Sequence, residues 1–177
     1  PPRPSSDLGG LTEGTSYTFT VTATNANGPG PASTPVGATT LGLPGAPTSV
    51  TATATSSTTL SVGWTAPATT GGTPITGYTV SVSPSGSYTG TTTTGGATST
   101  IVSGLTPGVA YTVSVTATNA QGTGPGSGTT TATTWTTPGQ VTGLALGTVG
   151  SSSVALTWTA PSTGGTPITG YTVTVSP

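Results

Sequence analysis

The 177-residue sequence contains no cysteine, no histidine and no lysine, and only three of its side chains carry a formal charge. Those three are Arg3, Asp7 and Glu13, so the rest of the chain is uncharged. A globular protein is typically about one quarter charged. The lack of cysteine excludes a disulfide framework. Because histidine, lysine and cysteine are all missing, none of the many hydroxyl groups has the usual partner that activates a nucleophile.

The scarcity of charge also excludes several kinds of partner. Nucleic-acid affinity comes mostly from neutralising phosphates with lysine and arginine, which Arg3 alone cannot do. Attachment to anionic lipid through a basic cluster fails for the same reason. No run of residues approaches the ~20 apolar residues of a membrane-spanning helix. We therefore expect a soluble protein with no nucleic-acid partner and no direct membrane insertion.

What is present is a strict alternation of apolar and hydroxyl residues. Residues 111–122 read YTVSVTATNAQG, in which Tyr111, Val113, Val115 and Ala117 alternate with threonine or serine. Alternation with period two predicts a β-strand with one face in a core and the other in water. Threonine favours strands and hydrates well, but it leaves the outer face without long-range electrostatic fields.

The sequence repeats itself internally. Trp64 and Trp158 are 94 residues apart (158 − 64), as are the tyrosine pair Tyr17 and Tyr111. The later GGTPITGYTV block repeats one residue closer, because the last copy has lost one loop residue. A unit of this length, built from short alternating strands with glycine, proline and asparagine at the turns, predicts an antiparallel β-sandwich.

These residues resemble the fibronectin type III domain. The resemblance rests on a start with two prolines, one tryptophan, one tyrosine, a leucine six residues before a second tyrosine, and an Asn-x-x-Gly ending: Pro44, Pro47, Trp64, Tyr78, Leu105, Tyr111, Asn119 and Gly122. The wording GGTPITGYTV is similar to bacterial and phage extracellular versions, which often form tandem arrays. The resemblance covers the whole chain and implies an all-β fold of tandem immunoglobulin-like antiparallel β-sandwiches in an elongated array.

The repeat divides the chain into three parts. Residues 1–41 correspond to the C-terminal half of a copy, residues 42–135 to a complete copy, and residues 136–177 to the N-terminal half of a further copy. In the complete copy we predict strands at residues 48–55, 59–65, 75–83, 88–93, 99–102, 111–119 and 128–134. The resemblance implies that strands one, two and five form one sheet, and strands three, six and seven the other.

No candidate for catalysis or metal binding survives comparison with a simpler interpretation. A glycosidase needs two carboxylates flanking a cleft, whereas Glu13 aligns with Pro107 at the tip of a turn. The glycine-rich segment 122–128 lacks the lysine and the helix of a phosphate loop, so a hairpin loop is favoured. Calcium needs about six to eight oxygen ligands, and the connections between copies hold no carboxylate. We expect no catalytic residue, no cofactor and no metal, and therefore not an enzyme.

The large apolar side chains are expected to be structural. Aromatic residues can form a platform for stacking sugars, but these lie on the inward phase of their strands, which favours a core. Tyr88, among glycines, is the exception and is expected to be exposed. The predicted core residues are Tyr17, Trp64, Tyr78, Leu105, Tyr111, Val113, Val115, Trp158 and Tyr171. Leu41 and Trp135 occupy equivalent positions after a last strand, where each is expected to dock at a junction between copies.

The favoured function is a non-catalytic structural spacer, in a stalk or fibre of an extracellular surface protein or virion appendage. One alternative is an accessory or linker module of a secreted polysaccharide-degrading enzyme. Another is an adhesion module that uses loops such as residues 69–74, with a carbohydrate or host-surface ligand that the sequence does not name. The expected partners are neighbouring copies of the same or an identical chain, including a head-to-tail homo-oligomer or fibre. The expected location is the cell surface, the secreted fraction or a virion surface.

Overall fold

The computed structural model describes residues 6–84 and 92–177, with only the backbone considered at residues 92–94. The opening segment, up to residue 41, holds the first four strands, β1 Ser16–Phe19, β2 Thr22–Asn25, β3 Gly28–Ala32 and β4 Val36–Thr39. The middle copy, residues 42–135, holds the next eight: β5 Thr48–Ala54, β6 Thr59–Thr65, β7 Gly77–Ser83, β8 Thr92–Thr94, β9 Ser99–Ser103, β10 Ala110–Asn119, β11 Gly122–Thr123 and β12 Thr130–Thr133. The closing segment, from residue 136 onward, holds β13 Thr142–Val149 and β14 Val154–Thr159. Within the described ranges there is no helix, and so none that could cross a membrane.

Two antiparallel sheets build the middle copy. One sheet has the strand order β5-β6-β9, and the other has the order β11-β10-β7-β8, with β12 also paired to β10. In the second sheet Thr112 lies opposite Ser83 and Thr118 opposite Gly77, so β10 and β7 pair over seven residues. The expected all-β, immunoglobulin-like sandwich is confirmed, with strands one, two and five apart from strands three, six and seven as the resemblance implies.

The core of the middle copy lies between the two sheets. The alternation seen in the sequence becomes alternating burial in β6 and β10, because successive side chains of a strand point to opposite faces. The buried apolar residues are Leu60, Val62, Trp64, Tyr78, Val80, Val82, Val102, Leu105, Tyr111, Val113, Val115 and Ala117. The rings of Trp64 and Tyr78 bridge the sheets with a centroid distance of 5.2 Å. The middle copy therefore has a complete core of its own.

The strands of the middle copy agree closely with those predicted. The second strand has the expected bounds, and most others differ by one or two residues at an end. The last strand starts at Thr130 and not at residue 128. The loop before it is held to β10 at Ser127, whose hydroxyl accepts from the Val115 amide at 2.9 Å. The prediction for Tyr88 lies outside the described residues.

In each end segment, one stretch that is equivalent to a strand of the middle copy forms no strand. In the opening segment β1 pairs with β4 and β2 with β3, but residues 6–9, which are equivalent to part of β9, form no strand. In the closing segment β13 pairs with β14, while residues 168–177 form no strand. The physical reason is visible in the middle copy, where β9 pairs with β6 and β7 pairs with β10. Each unformed strand lacks that partner within its own segment.

Candidate functional site at the junctions between copies

The charged residues do not form a chemical centre. Asp7 and Glu13 are both exposed, and Arg3 lies outside the described residues. Within residues 6–84 and 92–177, no cluster of three or more histidine, cysteine, aspartate or glutamate residues exists that could hold a metal ion. The positions where different parts of the chain converge are instead the two connections between copies, near Leu41 and near Trp135.

At the first connection, Gly42 lies between turns of two successive copies. Its amide donates to the carbonyl oxygen of Gly71 at 2.8 Å, and a Cβ built on it would lie 2.8 Å from the Gly14 nitrogen. A Cβ on Gly71 would overlap the Gly42 carbonyl oxygen. Gly71 has a φ of 71°, a backbone conformation that favours glycine. The connection is therefore packed against the opening segment on one side and the middle copy on the other.

The second connection repeats this arrangement with Thr136 in place of Gly42. The Thr136 amide donates to the Gly164 carbonyl at 2.7 Å. On its other side, the Thr136 Cγ2 atom lies 2.5 Å from where a Cβ on Gly108 would be. Gly108 and Gly164 are the equivalents of Gly14 and Gly71. Both connections thus place one residue between a glycine turn of the preceding copy and a glycine turn of the following copy.

The two residues predicted at the junctions contact the following copy. Leu41 is 49% exposed, and its Cδ2 atom lies 3.0 Å from the position of a Cβ on Gly72. Trp135 is half-buried, and its Cδ1 atom lies 2.5 Å from the position of a Cβ on Gly165. The Trp135 amide also donates to the carbonyl oxygen of Ser56, in the middle copy, at 3.3 Å. Any side chain at Gly165 would displace the indole ring.

Asn119, at the end of β10, fixes the first connection from inside the middle copy. Its side chain is buried, and Nδ2 donates to the carbonyl oxygens of Gly42 and Thr70, both at 2.8 Å. Oδ1 accepts from the amides of Gln121 at 2.8 Å and Gly122 at 3.1 Å. One carboxamide therefore holds the connection, the loop after β6 and the turn after β10 together.

Sequence reasoning did not find this role of Asn119. The motif Asn-x-x-Gly was recognised only as a strand ending, since neither Gly42 nor Thr70 is near Asn119 in the sequence. A polar residue on the apolar phase of β10 was the signal, because a buried carboxamide must find hydrogen-bond partners. The equivalent Asn25 makes one of these bonds: its Oδ1 accepts from the Asn27 amide at 2.9 Å.

A buried threonine, Thr134, anchors the last strand at the end of the middle copy that lies opposite Asn119. The Thr134 hydroxyl donates to the Thr106 carbonyl at 2.6 Å and accepts from the Val109 amide at 3.2 Å. Thr40 makes the equivalent bonds in the opening segment, donating to the Thr12 carbonyl and accepting from the Thr15 amide. Each connection therefore starts from an anchored last strand.

The two tyrosines Tyr17 and Tyr111 also make equivalent hydrogen bonds in their segments. The Tyr111 hydroxyl accepts from the Thr106 amide at 2.9 Å, and the Tyr17 hydroxyl accepts from the Thr12 amide at the same distance. Hydrogen bonding by Thr12 lowers the pKa of the Tyr17 hydroxyl from its usual value. Each tyrosine hydroxyl therefore binds a backbone amide five residues earlier in the chain.

The predicted core residues fall into three groups by burial. Six of them are buried in the middle copy: Trp64, Tyr78, Leu105, Tyr111, Val113 and Val115. Tyr17 and Trp158 are half-buried in the end segments. Tyr171 is 45% exposed, contrary to the prediction of a core position, because the strand that would cover it is absent from the closing segment.

The middle copy matches a known domain family. The sequence model of the fibronectin type III domain matches residues 45–133, which is half of the chain. The chain belongs to the fibronectin type III family. The matched residues are those of the middle copy, so the family's sandwich coincides with the complete core. A search of curated proteins found no match.

Three solved structures are examples of structures similar to this chain. The FN1–FN3 domains of chicken CNTN1 share 25% identity with a TM-score of 0.46, over 70% of this chain and 44% of that chain. A structure described as a myokine shares 22% identity with a TM-score of 0.43, over 51% of this chain and 97% of that one. Domains d3–d4 of the rat CD45 extracellular region share 19% identity with a TM-score of 0.51, over 72% and 67%. The CD45 likeness supports the fold alone.

Proposed function

We propose that this chain is a non-catalytic spacer, part of an extracellular stalk or fibre that holds other domains at a distance. The observation that carries the proposal is the repeated connection, in which Gly42 and Thr136 each lie between glycine turns of two successive copies. A connection with hydrogen bonds to the following copy and close packing against both neighbours restricts bending. Free swivelling needs a longer linker with no such contacts.

The outer surface supports the same proposal. The outer face of β10 consists of threonine and serine. Pairs of hydroxyl groups link neighbouring segments by hydrogen bonds, as between Thr118 and Thr123 at 2.9 Å. An uncharged surface neither attracts nor repels charged molecules over a distance. Fibronectin type III domains are generally non-catalytic, and the described residues offer no cluster for metal chemistry. These properties suit a passive element in variable surroundings.

The stiffness of the connection is tested with two middle copies in series, residues 42–135 fused directly to a second 42–135. Because the chain has no cysteine, Ser81→Cys in each copy gives two unique attachment points for spin labels. We expect a narrow distance distribution between them by pulsed electron spin resonance. The matched control inserts a flexible glycine-serine segment after the first Trp135, and it should broaden the distribution. Equal widths for the two proteins would contradict the spacer proposal.

The complete coding sequence tests the biological setting separately. Many further copies together with a surface anchor support a stalk. A hydrolase or carbohydrate-binding domain in the same polypeptide would instead favour the accessory module of a polysaccharide-degrading enzyme.

A further inference from the structure

Asn27 lies in an exposed turn and is followed by a glycine. The turn connects β2 to β3, and Asn25 and Gly28 are the paired residues that close it, so Ala26 and Asn27 occupy its two central positions. Asn27 is exposed, and within the described part of the chain its carboxamide has no hydrogen-bond partner. Its backbone amide donates to the Asn25 Oδ1 atom at 2.9 Å. The turn is therefore held by its backbone, and the Asn27 side chain is left free.

The accessibility of this position is a property of the repeat. Gln121 is the equivalent residue of the middle copy (121 − 27 = 94), where the sandwich is complete. Its side chain is exposed and also has no hydrogen-bond partner among the residues that the structure describes. This holds although the preceding connection packs beside the turn, with the Leu43 Cδ2 atom 3.1 Å from the position of a Cβ on Gly122. A side chain at this position faces solvent in a complete copy as well.

The residue that follows an asparagine decides how readily its carboxamide reacts. The carboxamide carbon is electrophilic, and the backbone nitrogen of the next residue can attack it to close a five-membered ring. A side chain on that next residue crowds the approach, whereas glycine has no Cβ. Of the three asparagines in the chain, only Asn27 is followed by glycine, because alanine follows both Asn25 and Asn119. Asn27 thus combines an open position with an unhindered neighbour.

Asn119 has the opposite environment and serves as an internal reference. Its side chain is buried, and its Nδ2 atom donates to the carbonyl oxygens of Gly42 and Thr70. Its Oδ1 atom accepts from the amides of Gln121 and Gly122. A carboxamide held in this way must lose several hydrogen bonds before a backbone nitrogen can attack it.

We propose that Asn27 is a site of spontaneous conversion to aspartate and isoaspartate, without an enzyme. In the first step a base removes the proton of the Gly28 amide, the Gly28 nitrogen bonds to the Asn27 Cγ atom, and Nδ2 leaves as ammonia after regaining that proton. In the second step water opens the cyclic imide. Cleavage of the bond between nitrogen and Cγ gives aspartate, and cleavage of the bond between nitrogen and the backbone carbonyl carbon gives isoaspartate. One water is consumed, one ammonia is released, and no group is oxidised or reduced.

The conversion changes a chain that has almost no charge. One new carboxylate takes the formal net charge at pH 7 from −1 to −2 (−1 − 1 = −2). Isoaspartate also routes the backbone through the side chain, which adds one carbon atom to the main chain of the turn between β2 and β3. The proposal concerns the chemistry of this turn and makes no use of the spacer function, so either can fail without the other.

The test is incubation of the purified 177-residue chain in warm, mildly alkaline buffer, followed by isoelectric focusing and mass spectrometry of the intact protein. We expect a second species to accumulate with one more negative charge and a mass greater by about 1 Da. Electron-transfer fragmentation should place the change at Asn27. The rate should rise with pH, because the first step needs a deprotonated amide. Asn27 should react at least about tenfold faster than Asn119.

Asn27→Gln is the matched control, because Gln121 shows that the same turn accepts glutamine. Glutamine would have to close a six-membered ring, which forms much more slowly, so this variant should keep its charge over the same period. A free peptide of residues 24–30 provides the reaction without the folded turn. A chain that stays unmodified while the peptide converts would overturn the proposal, because the turn would then protect Asn27. Equal rates at Asn27 and Asn119 would overturn it as well, since accessibility would not select the site.

Discussion

The side chain of Asn119 donates a hydrogen bond of 2.8 Å to the backbone carbonyl of Gly42, a residue 77 positions earlier in the chain. The carboxamide belongs to the centre of the second sheet, and the carbonyl belongs to the connection that precedes the copy. The middle copy therefore hydrogen-bonds the connection that joins it to the opening segment. The stability of the copy and the position of the connection depend on the same side chain.

We predict that Asn119→Ala destabilises the middle copy strongly. The change removes the partners of the Gly42 and Thr70 carbonyls and of two amides in the turn after β10. A buried polar group left without a partner costs about 1–3 kcal/mol. Only the bond to Gly42 is fully buried and the other three are part-buried, so a total loss of about 2–4 kcal/mol is expected. Urea unfolding of residues 42–135 measures it. Gln121→Ala keeps its backbone amide and should change stability by less than about 0.5 kcal/mol; equal effects of the two variants would contradict the role of Asn119.

We predict that Gly71→Ala is much more destabilising than Gly95→Ala, although the two glycines have nearly the same φ of 71° and 70°. Both substitutions carry the strain of a left-handed backbone, about 1–2 kcal/mol. A methyl group on Gly71 would also overlap the carbonyl oxygens of Gly42 and Leu43, whereas one on Gly95 meets nothing within 4 Å. Overpacking adds about 1–3 kcal/mol. The difference between the two free energies of unfolding isolates the packing of the connection, and no difference would mean that the connection is loose.

We predict that stability depends on pH only on the alkaline side. Residues 42–135 contain no acidic, basic or histidine side chain, so thermal melts of this segment at acid and neutral pH should superimpose. Burial raises the pKa of Tyr78 above its usual value of 10.0, because the folded state favours the neutral phenol. The stabilising contribution is therefore complete below pH 10 and is lost as the pH rises through the folded value. Tyr78→Phe should weaken this alkaline loss, while a marked loss of stability in acid would show that another group titrates.

The sequence was sufficient for features that depend on local alternation. The bounds of β6 and the inward phase of Tyr111, Val113 and Val115 follow from a period of two, which each strand carries within itself. The number of sheets and the strand order came from the family resemblance, since alternation does not say which strands are neighbours.

The remaining features depend on what a segment meets in three dimensions. The contact of Asn119 with Gly42 joins residues far apart in sequence, and no local pattern announces it. The exposure of Tyr171 and the unformed strand around it result from a missing partner, although the segment has the same alternation as β7. Residue pattern predicts the capacity to form a strand, and hydrogen bonding to a neighbour decides whether it forms.

The equivalence of the two connections has a genetic consequence. Because Gly42 and Thr136 lie 94 residues apart and meet equivalent turns, duplicating or deleting the segment between these two connections joins equivalent positions. Each remaining copy still meets a neighbour through the same glycine turns. A gene of this kind can lengthen or shorten its product by unequal crossing-over, in whole steps, and every new joint is one that already exists in the protein.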